Sequence, residues 1–310
     1  MTKTQNIKIK DFNWINIKDA DQPEIDYLRR KFKFHQLDLA DAYAEKYAQR
    51  PKINLHADYI FLVLQFPYYN HSSREVSPAE IDFFIGPDFF ITVHNDKLIP
   101  LKDFFKSCLA DPYYAQQCEI IDPATLLYEI LDRLLKYCFP MLDHISLDIE
   151  EIEKNIFAGR EREMVKEILY IKRNIINFRK IMQAHKSVIR EIINLKNKNF
   201  YAGSLREYYD NLIDETKNIW DILQNQKETI EALEDTNSSL VSFKLNDIMR
   251  TLTIISVLTF PLTLFATIFS MNIISGMPFI ETPGGFWLII LIMLLGILGM
   301  LGFFRKRSWI

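Results

Sequence analysis

Glycine and cysteine are scarce in this chain, and both scarcities exclude chemistry. There are nine glycines in 310 residues and none between Gly203 and Gly276. No glycine-rich phosphate loop, nucleophile elbow or paired-histidine protease motif occurs. The three cysteines, Cys108, Cys118 and Cys138, have no C-x-x-C spacing, which excludes a zinc ribbon or redox pair and predicts reduced thiols. The six histidines are dispersed along the chain, with no ligand spacing. A formal charge of −3 speaks against a nucleic-acid partner, which calls for a basic surface. The first ten residues lack the apolar core of a secretory signal, so the N-terminal part is expected to stay in the cytoplasm.

Charge itself is missing over the longest stretch. From Thr251 to Ile280 no Asp, Glu, Lys or Arg occurs, a run longer than the ~20 residues that cross a hydrocarbon core. A second uncharged run, Thr282 to Phe304, closes on Arg305-Lys306-Arg307. The two predict a helical hairpin through a membrane. Lys244 and Arg250 precede the first span and the connecting segment has no Lys or Arg, so both ends are expected on the cytoplasmic side. Trp287 and Trp309 are expected at the interfaces.

Polar residues in the first span fall in register. Asn246, Met249, Leu252, Ser256, Phe260, Thr263 and Thr267 step by 3, 3, 4, 4, 3 and 4, which keeps them on one helix face. Two readings fit this seam. It lines a pore made by several copies, or its hydroxyls bond to their own backbone and glue neighbouring helices.

Residues 1–122 read as mixed α/β, with strands at Ile7–Ile9, Phe12–Ile17, Lys52–Leu55 and Tyr59–Phe66. Gly86-Pro87-Asp88 predicts a hairpin between Ile81–Ile85 and Phe89–His94. Helices are expected over Pro23–Lys33, Leu37–Gln49 and Leu98–Leu109. Thr125–Ile156 is a long amphipathic helix rich in acid, and Glu161 to about Lys196 a basic one, predicting salt-bridged packing between them. Ser204 and Glu207 form a capping box that opens a third helix. Pro261 is the one proline between there and Ser270, so the helix is expected to run unbroken for roughly 100 Å at 1.5 Å per residue.

N-D-I-M-R-T-L-T-I-I at 246–255, F-P-L-T at 260–263, S-M-N at 270–272, Met277-Pro278 and the basic tail resemble the CorA family of divalent-cation transporters. The resemblance is strongest from Leu126 to Ile310. It implies an α/β cytosolic domain, a long stalk helix and two C-terminal transmembrane helices, assembled as a homopentameric funnel in the plasma membrane. In that frame 1–122 is the α/β domain, 123–203 a helical segment and 204–250 the stalk. Residues 251–274 form the pore-lining span, 275–284 the outer loop, 285–304 the second span and 305–310 the tail. The implied activity is passive transport of Mg2+, with Co2+ or Ni2+ as possible further cargo, and no cofactor or enzyme activity. Ser270, Met271 and Asn272 take the filter position, where the family has Gly-Met-Asn, and Met249 and Leu252 take the gate. Asp235 falls on an acidic ring below the pore. Asp210 and Asp214 flank Asn211, which replaces a regulatory aspartate. Phe279 stands where an acid usually follows Met-Pro, leaving Glu281 at the outer mouth. The alternatives are a zinc transporter of the ZntB kind and a membrane-anchored sensor that has lost transport.

Overall fold

The computed structural model describes residues 3–43, 50–111, 113–195, 205–271 and 284–307. The described residues fall into two units, Met1–Asp235 and Thr236–Ile310, and the helix that begins at Arg206 enters both.

The first unit is built on a six-stranded sheet. Its strands are β1 (Thr4–Ile9), β2 (Phe12–Lys18), β3 (Lys52–Leu55), β4 (Ile60–Asn70), β5 (Glu75–Ile85) and β6 (Phe89–His94). Their order is β1-β2-β6-β5-β4-β3, with β2 and β6 parallel and every other pair antiparallel. α1 (Gln22–Phe32) and α2 (Gln36–Tyr43) are the next elements after β2. Asp21 opens α1, its backbone N–H donating to Glu24 Oε2 at 3.1 Å. Leu28, Phe34 and Leu39 of this layer close over Ile15, Ile17, Phe61, Val63, Phe84 and Ile91, which alternate inward along the strands. On the sheet's opposite face Trp14 packs edge-on to Phe105 of α3 (Ile99–Ala110), ring centroids 4.9 Å apart. Its indole N–H donates to Thr92 at 3.2 Å, so burying the ring leaves no donor unmet.

After the short α4 (Tyr114–Gln117), α5 (Pro123–Phe157) starts at Asp122, whose carboxylate accepts from Thr125 N at 2.7 Å. It stops before Gly159, whose φ of 88° suits glycine alone. α8 (Arg206–Ser270) docks its first turns on α5: Tyr209 OH donates to Ala124 O at 2.8 Å, and Gln226 Nε2 donates to Leu142 O at 2.7 Å. Cys108, Cys118 and Cys138 are free thiols, as expected.

The structure corrects the sequence reading in three places. The expected 161–196 helix is two, α6 (Glu161–Met182) and α7 (His185–Asn194). No proline or glycine marks the break. It lets His185 turn fully into the core, edge-on to Phe66 at 4.7 Å, while Ser187 Oγ donates to Ala184 O at 2.8 Å. The basic residues of α6 pair elsewhere than on α5: Arg173 with Glu75 of β5 at 2.6 Å, Lys172 with Glu234 of α8 at 2.6 Å, and Arg179 over Trp220. Finally, β4 and β5 run well past the expected ends, with Pro67 opposite Pro78. There the ribbon has passed the ends of β3 and β6, so both strands are edges and tolerate proline. The 44–49 end of the expected second helix, and Ser204 of the capping box, lie outside the described residues.

α6 holds this extension down. Buried Asn174 accepts from Val76 N at 3.0 Å and donates to Arg74 O at 3.0 Å, while Asn177 donates to Val76 O at 3.2 Å. Asn174→Ala strands two backbone groups and is expected to cost about 2 kcal/mol or more. The thermal midpoint of the detergent-solubilised protein checks this; a midpoint equal to wild type contradicts it.

Candidate functional site

The second unit contains the C-terminal part of α8 and α9 (Gly285–Lys306), each with a stretch long and apolar enough to cross a membrane. α9 ends on the basic pair Arg305 and Lys306, favourable for the helix dipole. The helices lie side by side. Thr253 and Val257 share an apolar groove with Gly296, Gly299, Met300, Phe303 and Phe304.

Within α8 the half-buried residues are Ile254, Leu258, Pro261, Leu262, Phe265 and Phe269, again at helical spacing. All seven seam residues, Asn246, Met249, Leu252, Ser256, Phe260, Thr263 and Thr267, are exposed. At 3.6 residues per turn the seam points roughly half a turn away from the half-buried stripe. The seam is therefore on the side of α8 opposite its half-buried stripe. Its hydroxyls are satisfied locally: Ser256 Oγ donates to Leu252 O at 2.8 Å, Thr263 Oγ1 to Thr259 O at 2.9 Å and Thr267 Oγ1 to Leu264 O at 2.8 Å. Such back-bonding leaves each oxygen's lone pairs directed outward as acceptors. It also supplies polar groups around Pro261, which lacks a backbone donor inside the helix.

Ser270 is the last residue of α8 and does not adopt positive φ. Met271 follows, its N–H donating to Ile268 O at 3.3 Å and its side chain exposed. Asn272 and Glu281 lie outside the described residues.

Asp210, Asp214 and Asp235 are all exposed on α8, away from its buried stripe of Tyr209, Leu212, Thr216, Ile219 and Leu223. Asp210 is 3.8 Å from Arg206. Among the described residues no three His, Cys, Asp or Glu side chains converge as a metal cage. The chain by itself does not bring these aspartates together.

Sequence reasoning passed over Asp82 on β5. It stands in the apolar run Ile81-Asp82-Phe83-Phe84-Ile85 and is buried. A lone acid in an otherwise apolar strand was the available signal. Burial, with Glu80 and Asp41 nearby, pushes its carboxyl well above the usual range.

An α/β domain is followed by a long helix and a second apolar helix, each with a stretch long and apolar enough to cross a membrane. The sequence pattern of the CorA-like Mg2+ transporter family matches residues 10–306, and the chain belongs to that family. It is a family of ion transporters, not enzymes. The cobalt/magnesium transport protein CorA of Methanocaldococcus jannaschii is 24% identical over 99% of this chain and 95% of its own length. The protein of the same name from Thermotoga maritima is 25% identical over 96% of this chain and 83% of its own. The complete structure of the CorA magnesium transporter from M. jannaschii superposes with a TM-score of 0.83 at 22% identity, covering 98% of this chain and 94% of that one. The α/β domain, the long helix and the C-terminal apolar helix expected from sequence are those observed.

Proposed function

We propose that the chain is a passive divalent-cation transporter, with Mg2+ as its main cargo and Co2+ as a second. Family membership and relatives named for cobalt and magnesium support the cargo. The exposed seam, on the side of α8 opposite its half-buried stripe, is the observation that carries the mechanism. One hairpin encloses nothing, so the seam makes a path only when copies close around an axis, and the family resemblance supports a homopentamer. The segments follow: 1–122, 123–203 and 204–250 in the cytoplasm, 251–274 and 285–304 as spans, 275–284 outside and 305–310 inside.

Mg2+ gives up its waters reluctantly and is commonly bound with several retained. Neutral oxygens in a wide ring suit such an ion better than carboxylates, which would hold it and are costly inside a bilayer. Ser270, Met271 and Asn272 form that ring, with Glu281 drawing cations to the mouth. Asn246, Ser256, Thr263 and Thr267 pass the hydrated ion inward past Phe260. Met249 and Leu252 close the path by excluding water. Divalent ions bound between copies at Asp210, Asp214 and Asp235 favour the closed state. The membrane potential drives entry, at about 2.3 kcal/mol per charge per 100 mV.

The zinc alternative is not favoured, because relatives spanning nearly the whole chain are named for cobalt and magnesium. The test is rescue of a Mg2+-transport-deficient strain, with uptake compared for Mg2+, Co2+, Ni2+ and Zn2+. Growth restored at low Mg2+ is expected; Zn2+ uptake without Mg2+ uptake contradicts the reading. Native mass spectrometry of the solubilised protein is expected to give a pentamer, and monomer or dimer alone contradicts the pore.

A further inference from the structure

The apolar groove that Thr253 and Val257 of α8 share with α9 has a volume of about 530 Å³. Thr253 is the one hydroxyl in its lining, and it donates to Met249 O at 2.7 Å. The groove therefore suits hydrocarbon better than water.

Gly296 and Gly299 belong to the α9 wall. Glycine weakens a helix relative to alanine, and on a membrane helix it ordinarily lets another body approach the backbone. That body is not α8. A Cβ at Gly296 or Gly299 would meet nothing within 4 Å, so either position would accept a side chain without displacing this chain. The two glycines keep a groove open rather than a helix pair closed.

The groove leads into positive charge. Phe303 is part of its wall, and the Arg307 guanidinium lies 5.8 Å from the centre of that ring. Arg305 and Lys306 beside it are exposed, and among the described residues none of the three pairs with a carboxylate. On α8, Arg250 stands one turn from Thr253. In the described part of this unit Lys244, Arg250, Arg305, Lys306 and Arg307 stand against a single acid, Asp247.

We propose that the groove binds one anionic phospholipid, its acyl chain along Gly296, Gly299 and Phe303 and its phosphate held by Arg307 with Arg305 and Lys306. A hydrocarbon trough that ends at basic residues matches both halves of such a lipid. A second copy of this chain fits less well. Copies packed side by side in one orientation would bring the same basic ends together, with only Asp247 to offset them.

Such a site needs α8 and α9 in a membrane but is independent of what is transported, because bound lipid is counted without flux. Full-length protein, stripped of lipid in detergent, is titrated with dioleoylphosphatidylglycerol or dioleoylphosphatidylcholine, and bound lipid per chain is counted by native mass spectrometry. The anionic lipid is expected to bind at least about tenfold more tightly. Gly299→Leu fills the groove and, with open space around its Cβ, is expected to fold. It should weaken phosphatidylglycerol binding by about tenfold or more and leave the mass of the assembly unchanged. Arg305→Gln, Lys306→Gln and Arg307→Gln combined are expected to abolish the preference between the two lipids. Equal affinity for both lipids in wild type, the mark of ordinary lipid contact, would overturn the proposal. So would phosphatidylglycerol binding unchanged in both variants, or an assembly that falls apart in Gly299→Leu, the sign that a second copy fills the groove.

Discussion

Asn272→Ala is expected to lower Mg2+ uptake below about a tenth of wild type, while Ser270→Gly changes it by less than about tenfold. The contrast follows from different demands at neighbouring positions. A filter for a hydrated ion works through the acceptors its outer waters meet, and the Asn272 amide is the strongest neutral acceptor at the end of the seam. In the proposed ring, alanine removes that acceptor from every copy at once. A glycine at position 270 would be required if the backbone there needed positive φ, because a Cβ in that region costs of order 1 kcal/mol or more. α8 continues through Ser270 without positive φ, so the serine fits unstrained. Radiotracer or fluorescent-indicator uptake into cells checks both variants. A large gain in Ser270→Gly with no loss in Asn272→Ala contradicts the filter assignment.

Leu252→Asp is expected to produce the opposite phenotype, a leak that persists at high internal Mg2+. An apolar ring blocks ions because water leaves a narrow hydrophobic passage, and an ion without water does not enter. A carboxylate at the same level holds water there and supplies negative charge. Leu252 and Met249 are both more than half exposed, so folding is expected to survive. Uptake at high internal Mg2+ should rise by about tenfold or more. A variant whose leak and uptake match wild type would show that the seam is not the permeation path.

Much of the fold was legible because its signals are local and redundant. The uncharged runs and their basic closure mark the two apolar helices. Gly86-Pro87-Asp88 marks the β5–β6 hairpin. The unpredicted features are those decided by tertiary contact. Nothing at Gln183-Ala184 punctuates a helix; the break exists because His185 and Phe66 meet in the core. Pro67 and Pro78 look like strand ends until their opposition on a two-stranded ribbon is known. Arg173 and Lys172 carry charge that pairs with Glu75 and Glu234, distant in sequence. In the candidate site, periodicity placed Asn246 to Thr267 on one face, but only the burial pattern along α8 separates that face from the half-buried stripe. Asp82 escaped notice because a single acid in a strand says nothing of its burial.

Permeation along the seam is tested most directly by flux through the purified protein in liposomes loaded with a Mg2+ indicator, under an imposed inside-negative potential. Influx is expected that grows with the potential, is abolished by Asn272→Ala and persists in Leu252→Asp at high internal Mg2+. No potential-dependent Mg2+ influx through pentameric wild-type protein would contradict it.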